Sequence, residues 1–215
     1  MSNSEAALRE EMVERQVLAR GIVDAALLRA MRKIPRSRFV HENLRSVAYQ
    51  DEPLPIGCRQ TISQPFLVAY MIEALGLKPA DRVLEIGTGT GYETAVLAEM
   101  VSEVLTVEIY PELAAAARET LSGLGYANIK FRVGDGAEGW SEEAPFDAVI
   151  VSAAPDGLPP ALAVQLGEGG RIVLPLGLDR QTLKLFRKKD GRMSETPLLC
   201  ARFLPLLVAA AKEVS

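Results

Sequence analysis

Between Arg82 and Leu176 the chain alternates five short apolar runs with segments of helical character. The runs are RVLEI, EVLTVE, IKFRV, DAVIVS and GRIVLPL. The helices between them are predicted to begin near Gly91, Pro111 and Pro159. Strands that are apolar on both faces and joined by crossover helices form parallel sheets covered on both sides. We therefore predict a doubly wound, mostly parallel α/β fold.

The segment after the fifth run has a different pattern. QTLKLFRKKDGRMSETPLLCARFLPLL contains two further strands around a turn from Lys189 to Arg192. Because a hairpin joins antiparallel strands, one of the two must run against the parallel set. The prediction is a seven-stranded sheet with a C-terminal antiparallel hairpin, and the order of the last two strands is left open.

The first third of the chain is predicted to be helical. SEAALREEMVERQVLAR has one apolar face, and Gly21 can end that helix. Asp24 is a suitable N-cap for AALLRAMRKI, which Pro35 closes. A further helix is expected from about Pro65 to Leu75, with Gly76 as its stop.

Length and composition limit the class of protein. The 215 residues contain no low-complexity linker, so we expect one domain over 1–215, with an N-terminal helical segment at 1–78 and an α/β core at 79–215. A formal charge of −4 argues against a nucleic-acid binder, because neutralising phosphates requires a basic face.

No apolar run is long enough to cross a membrane, and the charged N-terminus is unlike a signal peptide, so a cytoplasmic location is expected. Cys58 and Cys200 lack the spacing of a metal site. The oligomeric state is not determined, and a monomer is favoured.

A glycine-rich turn follows the first strand of the α/β core. In VLEIGTGTGYETA, Gly87, Gly89 and Gly91 lie at the turn into a helix, and Glu108 closes the second strand 21 residues after Gly87. In doubly wound sheets the ligand binds beyond the carboxyl ends of the strands. Glycines permit close approach of the backbone, and an acid at this separation can bind a ribose diol. These features suit a dinucleotide equally well.

Two residues disfavour a dinucleotide. Tyr92 occupies the position where the dinucleotide fingerprint has Gly or Ala. Glu85 would repel a pyrophosphate but attract a cationic ligand such as S-adenosylmethionine, although a surface ion pair is the alternative interpretation. Together with the GDG at Gly134 to Gly136, the pattern indicates a class I methyltransferase. Asp135 could then bind the adenine amino group, its alternative being an ordinary Asp-Gly turn.

Nearly the whole chain resembles the protein-L-isoaspartate O-methyltransferase family. The matching segments are MVERQVLARGI, IPRSRFV, AYQDEPLPIG, QTISQP, VLEIGTGTGY, GDGAEGW, APFDAVIVSAAP and ARFLPL. The resemblance implies a Rossmann-like methyltransferase fold whose N-terminal segment covers the substrate. It also implies methyl transfer from S-adenosylmethionine to the free carboxyl of L-isoaspartyl, and more weakly D-aspartyl, residues of damaged proteins and peptides.

The resemblance also implies a set of site residues. Ser63 is expected to be catalytic, with Thr61 positioning it or the cofactor. Substrate contacts are expected from Gln60, Ile62 and Arg202. The cofactor is expected to be bound by Glu85, Gly87, Thr88, Gly89, Gly91, Glu108, Asp135 and Gly136.

Some positions depart from the family pattern and bear on substrate preference. Cys58 and Arg59 stand where small or polar residues and Gly are common, and Arg59 is expected where a peptide should pass. Ser37 replaces a frequent His, and Leu207 replaces a hydroxyl residue of some members. The single histidine, His41, lies outside every cofactor motif and is expected to be an ordinary surface residue. A carboxylate with a pKa of about 4 is already ionised at pH 7, so its methylation requires no general base.

The stretch RQTISQPF can be interpreted in two ways. Its hydroxyl groups could cap the helix that begins at Pro65. Alternatively, Ser63 could orient the acceptor carboxylate. When a carboxylate attacks a sulfonium, charge is lost in the transition state, so a cationic partner would stabilise the ground state more than the transition state. A neutral hydroxyl donor orients the acceptor without this penalty. Three other functions stay open: methylation of another carboxyl or a small molecule, a regulatory module whose peptide cleft Arg59 has closed, and an NAD-dependent oxidoreductase. Glu85 and Tyr92 disfavour the last.

Overall fold

A computed structural model describes residues 4–177 and 180–208. Within those ranges, no helix combines the length and apolar character needed to span a membrane. A seven-stranded sheet lies at the centre, with helices on both of its faces.

The N-terminal segment is helical, as predicted, but its first helix is not uniform. α1 (Glu5–Glu11) continues into a π-helical turn at Met12–Val17 and a 3₁₀ turn at Leu18–Arg20, and Gly21 ends the run with a φ of 92°. α2 (Ala25–Lys33) begins at Asp24, whose carboxylate accepts hydrogen bonds from two backbone N–H groups, which confirms the predicted cap. Two 3₁₀ turns follow, at Arg36–Phe39 and Glu42–Val47.

A small hairpin that the sequence did not predict precedes the third helix. β1 (Leu54–Gly57) pairs antiparallel with β2 (Gln60–Ile62). α3 (Pro65–Leu75) has the predicted bounds, and Gly76 ends it in the left-handed conformation with a φ of 56°. Residues 60–62 are therefore a strand of their own that leads to the helix.

The α/β core follows the predicted alternation. Its strands are β3 (Arg82–Ile86), β4 (Glu103–Glu108), β5 (Ile129–Val133), β6 (Phe146–Val151) and β7 (Leu166–Leu176). Its helices are α4 (Tyr92–Ala98), α5 (Pro111–Gly123) and α6 (Pro160–Gln165), with short 3₁₀ turns at Gly136–Glu138 and Ser141–Glu143. These five strands are parallel.

The C-terminal hairpin completes the sheet. β8 (Thr182–Lys189) pairs antiparallel with β7, and β9 (Arg192–Cys200) pairs antiparallel with β8. The strand order is β5-β4-β3-β6-β7-β8-β9. The order of the last two strands, which the sequence left open, therefore places β8 next to β7 and β9 at the outer edge. The predicted fold class is confirmed.

Alternation along the parallel strands divides the core into two layers. Val83 and Val104 belong to the layer that also contains the N-terminal helices, α3 and α4. Leu84 and Ile86 belong to the opposite layer, together with Leu162 of α6. Side chains of successive strand residues point to opposite faces, so Glu85 shares the face of Val83 and lies under α4.

Candidate active site

The carboxyl ends of β3, β4 and β6 border a pocket with an empty volume of about 790 Å³. Nine predicted site residues line it: Gln60, Thr61, Ile62, Ser63, Gly87, Thr88, Gly89, Glu108 and Gly136. Four others do not: Glu85, Gly91, Asp135 and Arg202.

The glycine loop has the conformation that its sequence requires. Gly87 and Gly89 have φ angles of 96° and 54°, which residues with a Cβ rarely adopt. Gly91 also has a positive φ, of 88°, but its role is packing: a Cβ there would lie 2.7 Å from Cδ1 of Leu121 on α5. Gly91 therefore allows α4 to approach α5 and does not face the ligand pocket.

Glu108 holds the glycine loop in place. Its carboxylate accepts hydrogen bonds from the backbone N–H of Gly89 at 2.8 Å and of Tyr110 at 3.1 Å. The side chain lines the pocket and is only 5% exposed as a residue. A carboxylate fixed in this way at the end of β4 is placed to bind a ribose diol.

Glu85 lies beneath the loop, outside the pocket lining. It is fully buried, and one carboxylate oxygen accepts a 2.6 Å hydrogen bond from the Thr94 hydroxyl on α4. The other oxygen has no hydrogen-bond partner among the described residues. Burial, and then the charge of Glu93, raise the pKa of Glu85 well above its usual range. Because Glu85 is inaccessible, the alternative of a surface ion pair is wrong.

Glu93 is an acidic site residue that the sequence reasoning missed. It lies in the first turn of α4, lines the pocket, and accepts a 2.6 Å hydrogen bond from the hydroxyl of Ser152, which directly follows β6. Burial raises the pKa of Glu93 to about 7, although the bond from Ser152 opposes the shift. The signal was present in the sequence, as an acid two residues after the last loop glycine.

The charges around the pocket select the kind of ligand. Two carboxylates, Glu93 and Glu108, line it, and none of its described lining residues is Arg, Lys or His. A pyrophosphate would meet two acids and no cation, whereas a ligand with an ammonium and a sulfonium would be attracted. S-adenosylmethionine therefore fits this pocket better than a dinucleotide does.

A second cavity, with about 1430 Å³ of empty volume, adjoins the first. Gln60, Thr61, Ser63 and Ser152 line both cavities, so these side chains form the wall between them. Arg202, which the resemblance assigned to the substrate, lines only the second cavity. Two ligands bound on the two sides would meet at this shared wall.

Ser63 does not cap α3. The N-cap residue is Gln64, whose side chain makes no capping hydrogen bond, and the N–H of Phe66 donates instead to Asp51 at 3.3 Å. Within the described part of the chain, the Ser63 hydroxyl has no hydrogen-bond partner. The capping interpretation is therefore wrong for Ser63, and its hydroxyl is available to a ligand.

A buried arginine holds the backbone of Ser63. Arg36 is fully buried and donates hydrogen bonds of 2.8 Å to the carbonyl oxygens of Ser63 and Ala48. Its guanidinium lies 4.8 Å from the ring centroid of Tyr92, which lines the first pocket. Sequence reasoning missed this residue because a lone Arg between helices is usually exposed.

The tip of the β1–β2 hairpin is a two-residue turn. Cys58 and Arg59 have φ angles of 48° and 58°, the positive values that a two-residue type I′ turn requires. Arg59 is exposed and lines neither cavity, although its neighbour Gln60 lines both. Its predicted position in the path of a peptide stays a prediction.

Asp135 has a local structural role. Its carboxylate accepts a 2.8 Å hydrogen bond from the N–H of Ala137 and so caps the 3₁₀ turn at Gly136–Glu138. Asp135 lines a neighbouring cavity. Gly136 is the residue of this turn that lines the main pocket. A Cβ at Gly136 would lie 2.2 Å from Cγ2 of Ile86, so only glycine fits there.

Of the remaining sequence candidates, His41 and Cys58 line neither cavity, whereas Cys200 lines the second. His41 is exposed and hydrogen-bonds to Asn43. Cys58 is partly buried and Cys200 exposed, both as free thiols. Across residues 4–177 and 180–208, no cluster of three His, Cys, Asp or Glu side chains could hold a metal ion.

Comparison with known proteins agrees with this geometry. The model of the protein-L-isoaspartate(D-aspartate) O-methyltransferase family matches residues 7–211. The chain belongs to this family. Family proteins named protein-L-isoaspartate O-methyltransferase are 51% identical in Picosynechococcus sp. (93% of this chain, 90% of the relative) and 52% identical in Methanoculleus marisnigri (93% and 91%).

Solved structures show the same similarity. One protein-L-isoaspartate O-methyltransferase structure has a TM-score of 0.84 at 33% identity, over 92% of this chain and 65% of that one. A Plasmodium falciparum protein of the family, in complex with S-adenosyl-L-homocysteine, has a TM-score of 0.80 at 27% identity, over 96% of this chain and 99% of that one. The chain is accordingly a methyltransferase, with S-adenosylmethionine as its methyl donor.

Proposed function

We propose that this methyltransferase repairs damaged proteins and peptides by methylating the free carboxyl of L-isoaspartyl and, more weakly, D-aspartyl residues. Membership of the family and relatives about half identical over most of the chain support this activity. The observation that carries the mechanism is the wall of Gln60, Thr61, Ser63 and Ser152 shared by the two cavities.

The first cavity is proposed as the cofactor site. Glu108 would bind the ribose, and the loop of Gly87, Thr88 and Gly89 would contact the cofactor through its backbone. Gly136 admits the adenine at the end of β5, while Asp135 would act from the adjoining turn. Glu85 and Gly91 support the loop from behind. S-adenosylmethionine supplies an electrophilic methyl group when it is bound.

The second cavity is proposed as the acceptor site. Ser63 would donate its hydroxyl hydrogen to the acceptor carboxylate, with Thr61 positioned beside it. Gln60 and Arg202 would contact the peptide around that carboxylate. Ile62 lines only the first cavity, so its predicted substrate contact would have to be made from the cofactor side of the shared wall. Since the acceptor is already ionised at neutral pH, orientation replaces proton abstraction, and the shared wall requires no general base.

Arg59 lines neither cavity, so its position gives no support to the regulatory module, whose peptide cleft this residue would have to close. The single-domain division at 1–78 and 79–215, the cytoplasmic location, the monomeric state and the lack of a nucleic-acid partner stay predictions from the sequence.

A methyl-transfer assay on matched peptides tests the proposal. We expect base-labile methyl esters on an L-isoaspartyl peptide, fewer on its D-aspartyl form, and far fewer on the normal L-aspartyl isomer. Calorimetry with S-adenosylmethionine, run in parallel, shows whether the protein is folded and loaded. Equal labelling of the L-isoaspartyl and L-aspartyl peptides, or none by a protein that binds the cofactor, would overturn it.

A further inference from the structure

The strand order fixes the direction in which the cofactor lies across the pocket. Along the carboxyl edge of the sheet, β5, β4, β3 and β6 are neighbours in that order. Gly136 follows β5, Glu108 ends β4, and Ser152 follows β6. If adenine lies at Gly136 and ribose at Glu108, the methionine end must lie between β3 and β6.

Among the lining residues that the structure describes, one carboxylate lies at the β3–β6 end of the pocket. Glu93 meets Ser152 there, and a Cβ at Gly87 would lie 3.8 Å from Cβ of Ser152, so the two strand ends are close. Glu93 is 8% exposed and forms no ion pair with any described residue. Glu85, two residues before the loop, lies behind the pocket and bonds to Thr94. The acid that faces the ligand is therefore on α4 and not on β3.

We propose that Glu93, oriented by the Ser152 hydroxyl, binds the α-ammonium group of the cofactor's methionine end. The inference rests on S-adenosylmethionine being the ligand of this pocket. A buried carboxylate with only a hydroxyl partner has unused hydrogen-bonding capacity, and a buried cation needs a charged acceptor. The ammonium supplies the missing cation, while the hydroxyl of Ser152 fixes the other carboxylate oxygen.

The three ligands that test this differ in their charged groups. S-adenosylmethionine has the sulfonium, the ammonium and a carboxylate, S-adenosylhomocysteine has the ammonium and the carboxylate, and methylthioadenosine has none of the three. Because a carboxylate ligand group would be repelled by Glu93, a loss of affinity on removing the Glu93 charge reports on the ammonium. Calorimetry should show that Glu93→Gln weakens the first two by about tenfold to a hundredfold, as expected for a hydrogen bond to a charged group, and leaves methylthioadenosine nearly unchanged. Ser152→Ala should weaken the first two ligands less.

Glu112→Gln is the matched control, because Glu112 is an exposed acid in the first turn of the next helix, α5. It should bind all three ligands as the wild type does. Weakening of methylthioadenosine by Glu93→Gln to the same degree would show a structural effect and overturn the proposal. Weakening of S-adenosylmethionine alone would assign Glu93 to the sulfonium, which also overturns it. If the wild type bound none of the three, the cofactor assignment itself would fail, independently of Glu93.

Discussion

Ser63 provides the sharpest test of the active site, because the structure separates its two possible roles. Replacing a Ser that caps a helix by Ala costs about 1 kcal/mol. The hydroxyl of Ser63 makes no such bond, and α3 begins at Gln64 without a side-chain cap. Ser63→Ala should therefore change the free energy of unfolding by less than about 0.5 kcal/mol, as for a substitution that removes no native contact.

The expected effect on activity is much larger. Losing a hydrogen bond to a charged acceptor costs about 1.5–3 kcal/mol, which corresponds to a decrease in kcat/KM of roughly tenfold to a hundredfold for the isoaspartyl peptide. The affinity for S-adenosylmethionine should change little, because Glu108 and the glycine loop are untouched. Ser63→Thr keeps a hydroxyl group and should retain more activity than Ser63→Ala.

Two measurements on each folded variant decide the outcome: chemical denaturation, and steady-state titrations in peptide and in cofactor. Ser122→Ala, at an exposed position of α5, is the matched control and should leave both unchanged. Wild-type peptide kinetics for Ser63→Ala would refute the assignment of the acceptor contact. A loss of stability above 1 kcal/mol would show that the residue supports the fold instead.

Two further predictions concern stability. Cys58→Asn combined with Arg59→Gly should stabilise the protein by about 1–2 kcal/mol, because Asn-Gly suits the positive φ angles of this turn; an unchanged denaturation midpoint would argue against strain there. Lowering the pH from 8 to 6 should stabilise the ligand-free protein. Burial raises the pKa of Glu93 from 4.5 to about 7, so its contribution is complete below pH 4.5 and is lost as the pH rises through 7. Glu93 alone contributes a slope of at most about 1.4 kcal/mol per pH unit, and Glu93→Gln should remove this contribution between pH 6 and 8, whereas an unaltered slope would mean that Glu93 does not titrate in this range.

The sheet could be predicted because its signals are local. Three strands, Arg82–Ile86, Glu103–Glu108 and Ile129–Val133, have the bounds that their apolar runs indicated. Helix ends were also predictable where Gly76 or Asp24 supplies a specific backbone conformation or cap. In each case the residues that determine the element lie within it or next to it.

The site was less predictable, because which face a side chain occupies depends on distant packing. Glu85 precedes the loop in sequence, but strand alternation turns it under α4, and Glu93 is the acid that lines the pocket instead. The position of Arg59 depended on an unpredicted hairpin, whose turn directs the residue to solvent. The partnership of Glu93 with Ser152 joins residues 59 positions apart, and only the parallel pairing of β3 with β6 brings them together.

Arg36 shows how a cation can serve this site without binding the acceptor. A guanidinium in contact with the acceptor carboxylate would stabilise the ground state more than the transition state, in which the negative charge is being neutralised. The hydrogen bonds of Arg36 instead reach the carbonyl oxygens of Ser63 and Ala48, and burial lowers its pKa to about 10, so that it stays protonated at neutral pH. It lines neither cavity, and it reaches the residues of the shared wall only through the carbonyl oxygen of Ser63. The charge thus holds the backbone that carries the Ser63 hydroxyl, and in the proposed acceptor site this neutral hydroxyl, rather than Arg36, would meet the acceptor carboxylate.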